Sequence, residues 1–424
     1  MNSLARLAWR YLWAQPLTAA LNLLLLSLGL AAISFVLLVS EQIEAGVQRD
    51  LAGIDLVVGA KGSPMQIMLS GVFHLDVPTG NIPFETLQTL RAQALVARVI
   101  PLSLGDSLSG YRIVGTTPDY LELYRAKLAE GEVWHAPMQA VLGAEVARQL
   151  GLRPGQQFNG SHGLAEQGDA HERQPYTVLG VLAPTGGVLD RLVLTDLASV
   201  WAVHEAHHGA AAAADGHGRD EGANEEHGDG RGVTPATPPM PSGREITLAL
   251  VSYRSPLGAM MLPRWVNAQP GLQAAAPALE SARLLRMVGV GTEVLRGFGL
   301  MLLLAAAGSV FVTLLHSVRA RQGDLAMLRM LGAPPWRVAA LVSLEALFLA
   351  LLASALGLLL GHGLTSLLGS GLAAERSLRV SGLWFSPWEA LVPVSALGLS
   401  LLASAWPALA AFRLDVSELL QAPR

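Results

Sequence analysis

Four stretches of this sequence are long and apolar enough to fix most of what the chain can become: residues 16–39, 297–315, 338–361 and 390–411. A helix rises about 1.5 Å per residue, so roughly 20 apolar residues cross a hydrocarbon core of about 30 Å. Each stretch reaches that length. The composition agrees, with 51% hydrophobic and only 15% charged residues and a mean hydropathy of +0.41, too apolar for an ordinary soluble protein. The first stretch follows Arg6 and Arg10 as a signal peptide would. Its apolar core exceeds the roughly 7 to 15 residues of a signal segment, and no small-residue cleavage site precedes Glu41, so it reads as an uncleaved helix.

Orientation follows from the short flanks. The connection over residues 316–337 carries Arg319, Arg321, Arg329 and Arg337 against Asp324, whereas the connection between the third and fourth helices carries Arg376 and Arg379 with Glu375. The positive-inside rule puts the first of these in the cytoplasm. Both termini are then cytoplasmic. The expected fold class is a membrane protein with four transmembrane α-helices and a large α+β domain, outside the membrane, inserted between helices 1 and 2. The expected order is a cytoplasmic amphipathic segment 1–15, a first span 16–40, the outer domain 41–293, a second span 294–316, a cytoplasmic loop 317–337, a third span 338–362, an outer loop 363–388, a fourth span 389–411 and a cytoplasmic tail 412–424.

Within the outer domain, YRIVGTTPDYLELY reads as a strand, a Thr-Pro-Asp turn and a helix start, and QAVLGAEVARQLGLRPGQQF as a strand, an amphipathic helix and a turn at Pro154-Gly155. YTVLGVLAP and ITLALVSYRS have the pattern of half-buried strands. Residues 209–242 show no apolar periodicity and read as a disordered insertion rich in histidine and acid. Five of the chain's 11 histidines, His204, His207, His208, His217 and His227, fall in and beside it. Histidines three and four residues apart on one helical face can share a zinc ion, with others completing the shell. A solvated acidic loop explains the same composition, and both readings stand. His74, Asp76 and Glu85 in HLDVPTGNIPFETL read either as a small polar site or as a rigid turn with solvated side chains.

Other classes are excluded. A net charge of -4, spread over both signs, offers no basic field for nucleic acid. Without cysteine there are no disulfides, thiolate zinc sites or cysteine nucleophiles. Gly59-Ala60-Lys61-Gly62 misses the spacing a phosphate-cradling P-loop needs. The chain therefore reads as a non-enzyme with no intrinsic cofactor.

The cytoplasmic connection is the most specific segment. In RARQGDLAMLRMLGAPPWRV, Leu325, Leu328 and Leu331 recur every third residue, giving a short helix an apolar ridge flanked by arginines. Gly332 ends it and Pro334-Pro335 turns the chain into the next span. Such a ridge suits either docking of a soluble partner or burial in lipid headgroups. Glu345 lies inside the third span, where a carboxylate is a functional candidate by default.

The pattern R-x-x-D-L-A-M-L-R-M-L-G-A resembles the coupling segment of FtsX-like permeases, the MacB type of ABC transporter subunit. The ending WPALAAFRLDVSELL is similar to that family's closing motif, with Val416 where proline is usual and, earlier, Asp324 where glutamate is commoner. One helix, a large periplasmic domain and three further helices also match the family's order. The resemblance implies an inner-membrane permease working beside a second permease copy, identical or not. It also implies a separate cytoplasmic ABC ATPase that binds the ATP and docks on Leu325, Leu328, Leu331 and Gly332, with polar contacts from Arg321 and Arg329. Glu345 is then expected to contact the coupling helix. A link to zinc and a periplasmic binding protein are further expectations, and a non-transporting relay that activates a periplasmic partner is the alternative. A metal sensor with a mere membrane anchor fits the cytoplasmic motif poorly.

Overall fold

The computed structural model describes residues 2–162, 175–203, 243–374 and 380–413. It begins with α1 (Asn2–Leu12) and α2 (Pro16–Asp50), then β1 (Leu56–Ala60), α3 (Pro64–Gly71), β2 (Ile82–Pro83) and α4 (Thr86–Arg91). Next come β3 (Val96–Leu108), β4 (Tyr111–Thr116), α5 (Asp119–Leu123), β5 (Leu128–Gly131), β6 (Gln139–Leu142), α6 (Ala144–Leu150), β7 (Gln157–Phe158) and β8 (Ser161–His162). β9 (Tyr176–Leu182) and β10 (Val193–Asp196) precede a helix, α7, over residues 197–203. β11 (Glu245–Ile246), β12 (Leu248–Tyr253), α8 (Leu257–Asn267) and β13 (Leu272–Ala275) lead into α9 (Pro277–Ala320), α10 (Gln322–Met330), α11 (Pro335–Ala374) and α12 (Leu391–Phe412).

The chain divides into two compact units, residues 46–284 and residues 1–45 with 285–424. The first is the α+β unit. Its main sheet runs β13-β1-β12-β3-β4-β10-β6-β9-β5, with β7 and β8 added beside β9 and β3. The 13-residue β3 joins the two halves. Its early residues pair antiparallel with β12, as in Ile100 with Leu250, and its later ones with β4, as in Leu104 with Val114. One half buries Leu56, Val58, Val99, Ala249 and Val251 against Leu87 and Leu90 of α4 and Leu262 and Val266 of α8. The other buries Ile113, Leu142, Val178 and Val193 against Val146 of α6 and Val203 of α7. β9 alternates strictly, with Tyr176, Val178, Gly180 and Leu182 inward, the signature of a strand covered on one face.

The second unit is helical. Among the described residues, four helices are long and apolar enough to cross a membrane: Pro16–Asp50, Pro277–Ala320, Pro335–Gly371 and Pro387–Phe412. α2 and α9 outrun their apolar cores, because Glu41, Gln42, Glu44, Gln48 and Arg49 propagate a helix as readily as leucine does until Gly53 takes a positive φ of 83°. The helices meet through small residues. A Cβ on Gly357 would lie 2.7 Å from Leu30 Cβ, and one on Gly361 2.8 Å from Ser34 Cβ, so this G-x-x-x-G face lets α11 approach the α2 backbone. Polar pins add to it. Asn22, 2% exposed, donates to Thr313 Oγ1 at 3.0 Å and accepts from Ser309 Oγ at 2.6 Å. At the other end of the bundle, Glu389 faces His362 Nε2 at 3.0 Å and accepts from Ser34 Oγ at 3.1 Å.

Candidate functional site

α10 starts directly after α9, with Arg321 at its N-cap in a non-helical conformation. It stops where its sequence says it should. Gly332 has a φ of 91°, its N–H donates to the Arg329 carbonyl at 3.0 Å, and the Ala333 N–H donates to the Leu328 carbonyl at 3.1 Å. Those two bonds close a Schellman cap, whose left-handed position favours glycine. Pro335 then opens α11 at a position where its missing N–H costs nothing.

Arg321 holds the start of this helix to two others. Its Nη2 donates to the Tyr11 carbonyl at 3.0 Å, its guanidinium carbon lies 4.4 Å from the centre of the Tyr11 ring, and Nη1 stands 3.4 Å from Glu345 Oε1. The Tyr11 carbonyl is at the C-terminal end of α1, where a cation is favoured by the helix dipole. α1 is in turn seated on α11, with Ala8 fully buried and the rings of Trp9 and Phe348 5.7 Å apart, edge to face. Burial pushes the Tyr11 phenol above its ordinary pKa, and the nearby Asp324 carboxylate adds to the shift. The cavity beside Tyr11, Arg321 and Glu345 holds only about 40 Å³. That is room for a few waters, well under the roughly 300 Å³ of a small-molecule site.

The expected leucine ridge divides. Leu325 is buried among Val318, Val338, Leu341 and Val342, and Leu328 packs partly against the same cluster, while Leu331 is 81% exposed. The outward apolar face consists of Met327, Met330 and Leu331, with Trp336 beyond the turn. The reason is helical geometry. At about 3.6 residues per turn a three-residue step falls some 60° short of a full turn, so Leu325 and Leu331 lie on different sides. Met327, Met330 and Leu331, at i, i+3 and i+4, share one side. That spacing was present in the sequence. Tyr11 carried no such signal, since it meets Arg321 across 310 positions.

Arg321 and Glu345 are thus brought together, and Arg329 and Gly332 lie in the last turn and cap of α10. His204, His207, His208, His217 and His227 lie outside the described residues. Among the described residues no group of three or more His, Asp or Glu side chains is arranged to hold a metal ion. His74 is buried against Tyr120, with Nε2 3.1 Å from the phenol oxygen. Asp76 accepts from the neighbouring Val77 N–H, and Glu85 stands at the N-cap of α4.

Two family models match this chain. Residues 19–225 match the MacB-like periplasmic core domain, and residues 296–416 match the FtsX-like permease C-terminal domain. The fold is similar to the crystal structure of the periplasmic region of MacB from Actinobacillus actinomycetemcomitans, at 10% identity and a TM-score of 0.34, over 56% of this chain and 95% of that one. It is also similar to the extracellular domain of the noncanonic ABC-type transporter YknZ from Gram-positive bacteria, at 11% identity and a TM-score of 0.29, over 52% of this chain and 98% of that one. No curated protein matches. On the two family models, the chain belongs to the FtsX/MacB-type ABC permease family. It is a membrane subunit of the ABC-transporter type, from a bacterial inner membrane, with a periplasmic-type domain between its first and second spans.

Proposed function

We propose that the chain couples ATP hydrolysis in a separate cytoplasmic ABC ATPase to movement of its periplasmic domain and so to transport, and that α10 is the coupling helix. One observation carries this reading: α10 is fixed on its inner side by Leu325 and by the Arg321 clamp, while its outer side leaves Met327, Met330 and Leu331 uncovered. Those three uncovered apolar side chains beside the arginines form the kind of patch that a soluble partner would cover. In this reading the 316–337 segment and both termini are cytoplasmic, ATP is bound by the partner, and a second permease copy completes the assembly. Displacement of α10 passes through Arg321 to α1 and α11 together, because the guanidinium cannot follow one without straining its bond to the other.

Copurification tests the assignment. Leu331→Glu in the full chain, expressed with its ABC ATPase, is expected to abolish recovery of the ATPase while the permease stays inserted. Full recovery would overturn α10 as the docking helix. The cargo reading rests on the histidine-rich sequence alone, which supports a link to zinc. Calorimetry with zinc on the full chain and on a chain lacking residues 204–232 is expected to show binding only in the former, weakening below about pH 6.5 as the imidazoles protonate. Equal binding by both chains would end that reading.

A further inference from the structure

In the α+β unit, the last turn of α2, the end of α5 and the loop over residues 185–189 enclose a cleft of about 440 Å³, lined among others by Arg49, Asp50, Leu123, Tyr124, Arg125 and Thr185. That volume lies within the roughly 300 to 1,000 Å³ of small-molecule sites. It is unrelated to the docking of an ATPase on α10.

The cleft is a fixed frame. The Tyr124 hydroxyl donates to the Asp50 carbonyl at 2.9 Å, the Val188 N–H donates to Asp50 Oδ1 at 2.9 Å, and Arg49 Nη1 donates to the Gly186 carbonyl at 2.6 Å. The loop consumes its own donors. Thr185 N–H and its hydroxyl bond Asp190 Oδ1 at 2.7 and 2.8 Å, Gly186 N–H bonds Asp190 Oδ2 at 2.9 Å, and Gly187 N–H bonds Thr185 Oγ1 at 3.2 Å. Asp50 Oδ1 and both oxygens of Asp190 therefore accept from N–H and O–H groups of the loop. Among the lining residues, the cationic side chains are those of Arg49 and Arg125.

Arg125 is the telling residue. Its N–H donates to the Glu122 carbonyl at 3.0 Å, and the Ala126 N–H donates to the Leu121 carbonyl at 2.9 Å. These are the two bonds of a Schellman cap on α5, and they put Arg125 at the left-handed position, with a φ of 50°. Glycine fits that position without strain. An arginine there keeps a strained backbone in place of the relaxed one. Its exposed side chain makes no hydrogen bond or ion pair among the described residues. Non-glycine residues in the left-handed region are uncommon and cluster at ligand and active sites, although His74 shares that conformation as part of the frame.

The geometry points to a phosphate-binding site in this cleft, with the guanidinium groups of Arg125 and Arg49 gripping one phosphate group from two sides. Two planar forks suit the tetrahedral oxyanion of a phosphate group, which approaches two negative charges in a monoester and carries one in a diester. The same chemistry is offered by free inorganic phosphate and by an anionic phospholipid headgroup.

The test uses the full chain in nanodiscs of zwitterionic lipid, titrated with inorganic phosphate and followed by ³¹P line broadening, and the same chain in nanodiscs containing phosphatidylglycerol, with retained lipid counted by native mass spectrometry. Saturable broadening by inorganic phosphate assigns a soluble ligand, and selective retention of phosphatidylglycerol assigns a headgroup. In either arm Arg125→Gly is expected to weaken binding at least tenfold while the melting temperature holds or rises, since glycine relieves the cap. Arg49→Gln is expected to weaken it similarly. Equal binding by wild type and Arg125→Gly, or no saturable binding in either arm, would overturn the site.

Discussion

At the scale of single residues, His74 shows how a side chain can look like a site in the sequence and prove to be part of the frame. It is 8% exposed, at a φ of 55°, with Nε2 against the Tyr120 hydroxyl and Nδ1 without a partner among the described residues. Burial, and then the charges of Arg112 and Arg191, hold its pKa well below the ordinary value. The folded protein therefore keeps His74 neutral at pH values where the unfolded chain, titrating near pH 6.5, has already bound a proton. Stability from this residue is complete above about pH 6.5. It falls as the pH drops further, by up to about 1.4 kcal/mol per pH unit, until the folded form is protonated too. His74→Asn, which tolerates a positive φ and can still bond Tyr120, is expected to flatten that slope. Melting temperatures of the full chain between about pH 7.5 and pH 5 measure it, and an unchanged slope in the variant would move the effect to another group. Neither the burial nor the Tyr120 contact was legible in HLDVP, because both depend on α5, which lies 46 positions downstream. Arg321 is similar: its place at the start of the short arginine-flanked helix was legible, its grip on Tyr11 was not.

At the scale of elements, the spans were legible because lipid leaves a helix no alternative for its backbone hydrogen bonds, and α10 was legible because Gly332 and Pro335 punctuate it. The strands YRIVGT, YTVLGVL and LALVSY were legible from their patterns. Their order was not, since β1 pairs with β12 and β13 from about 190 to 220 positions away, and β3 shows in its sequence no sign that it serves two halves. How the helices approach one another was also hidden, although Gly357 and Gly361 were in plain view. A Cβ at Gly357 would press on Leu30 Cβ at 2.7 Å and on the Ser27 carbonyl at 3.1 Å. Helix α2 would have to move away, since neither a backbone carbonyl nor a Cβ can turn aside. Gly357→Val is expected to cost about 1 to 3 kcal/mol, as overpacking does, whereas valine at Gly363, where a Cβ meets nothing within 4 Å, is expected to cost little. Thermal stability of the two variants in one detergent distinguishes them. Equal losses would mean that α2 and α11 are not held by close backbone contact.

At the scale of the whole molecule, the chain passes between its two units through helix on both occasions: α2 runs from residue 16 to residue 50 across the boundary at 45/46, and α9 from residue 277 to residue 320 across the boundary at 284/285. A continuous helix conveys displacement along its axis, which a loop of the same length would absorb. Gly46 stands at the first boundary, and a Cβ there meets nothing within 4 Å. Alanine should therefore fit and, at about 1 kcal/mol better helix propensity, stiffen the segment. Proline at the same position removes one helical hydrogen bond and clashes with the preceding turn, at a cost of about 3 kcal/mol or more. Each unit keeps its own core, so both are expected to stay folded in Gly46→Pro. The native chain has no cysteine, so an Asp119→Cys substitution on the exposed start of α5 gives one labelling site per copy. With the ABC ATPase bound, the nitroxide distance between two permease copies is expected to change on adding ATP in the otherwise unaltered protein and in Gly46→Ala, and to stay fixed in Gly46→Pro although ATP is still hydrolysed. An ATP-driven distance change that survives the proline would mean that α9 alone carries the movement, and an absence of change in every variant would remove the coupling role from the chain.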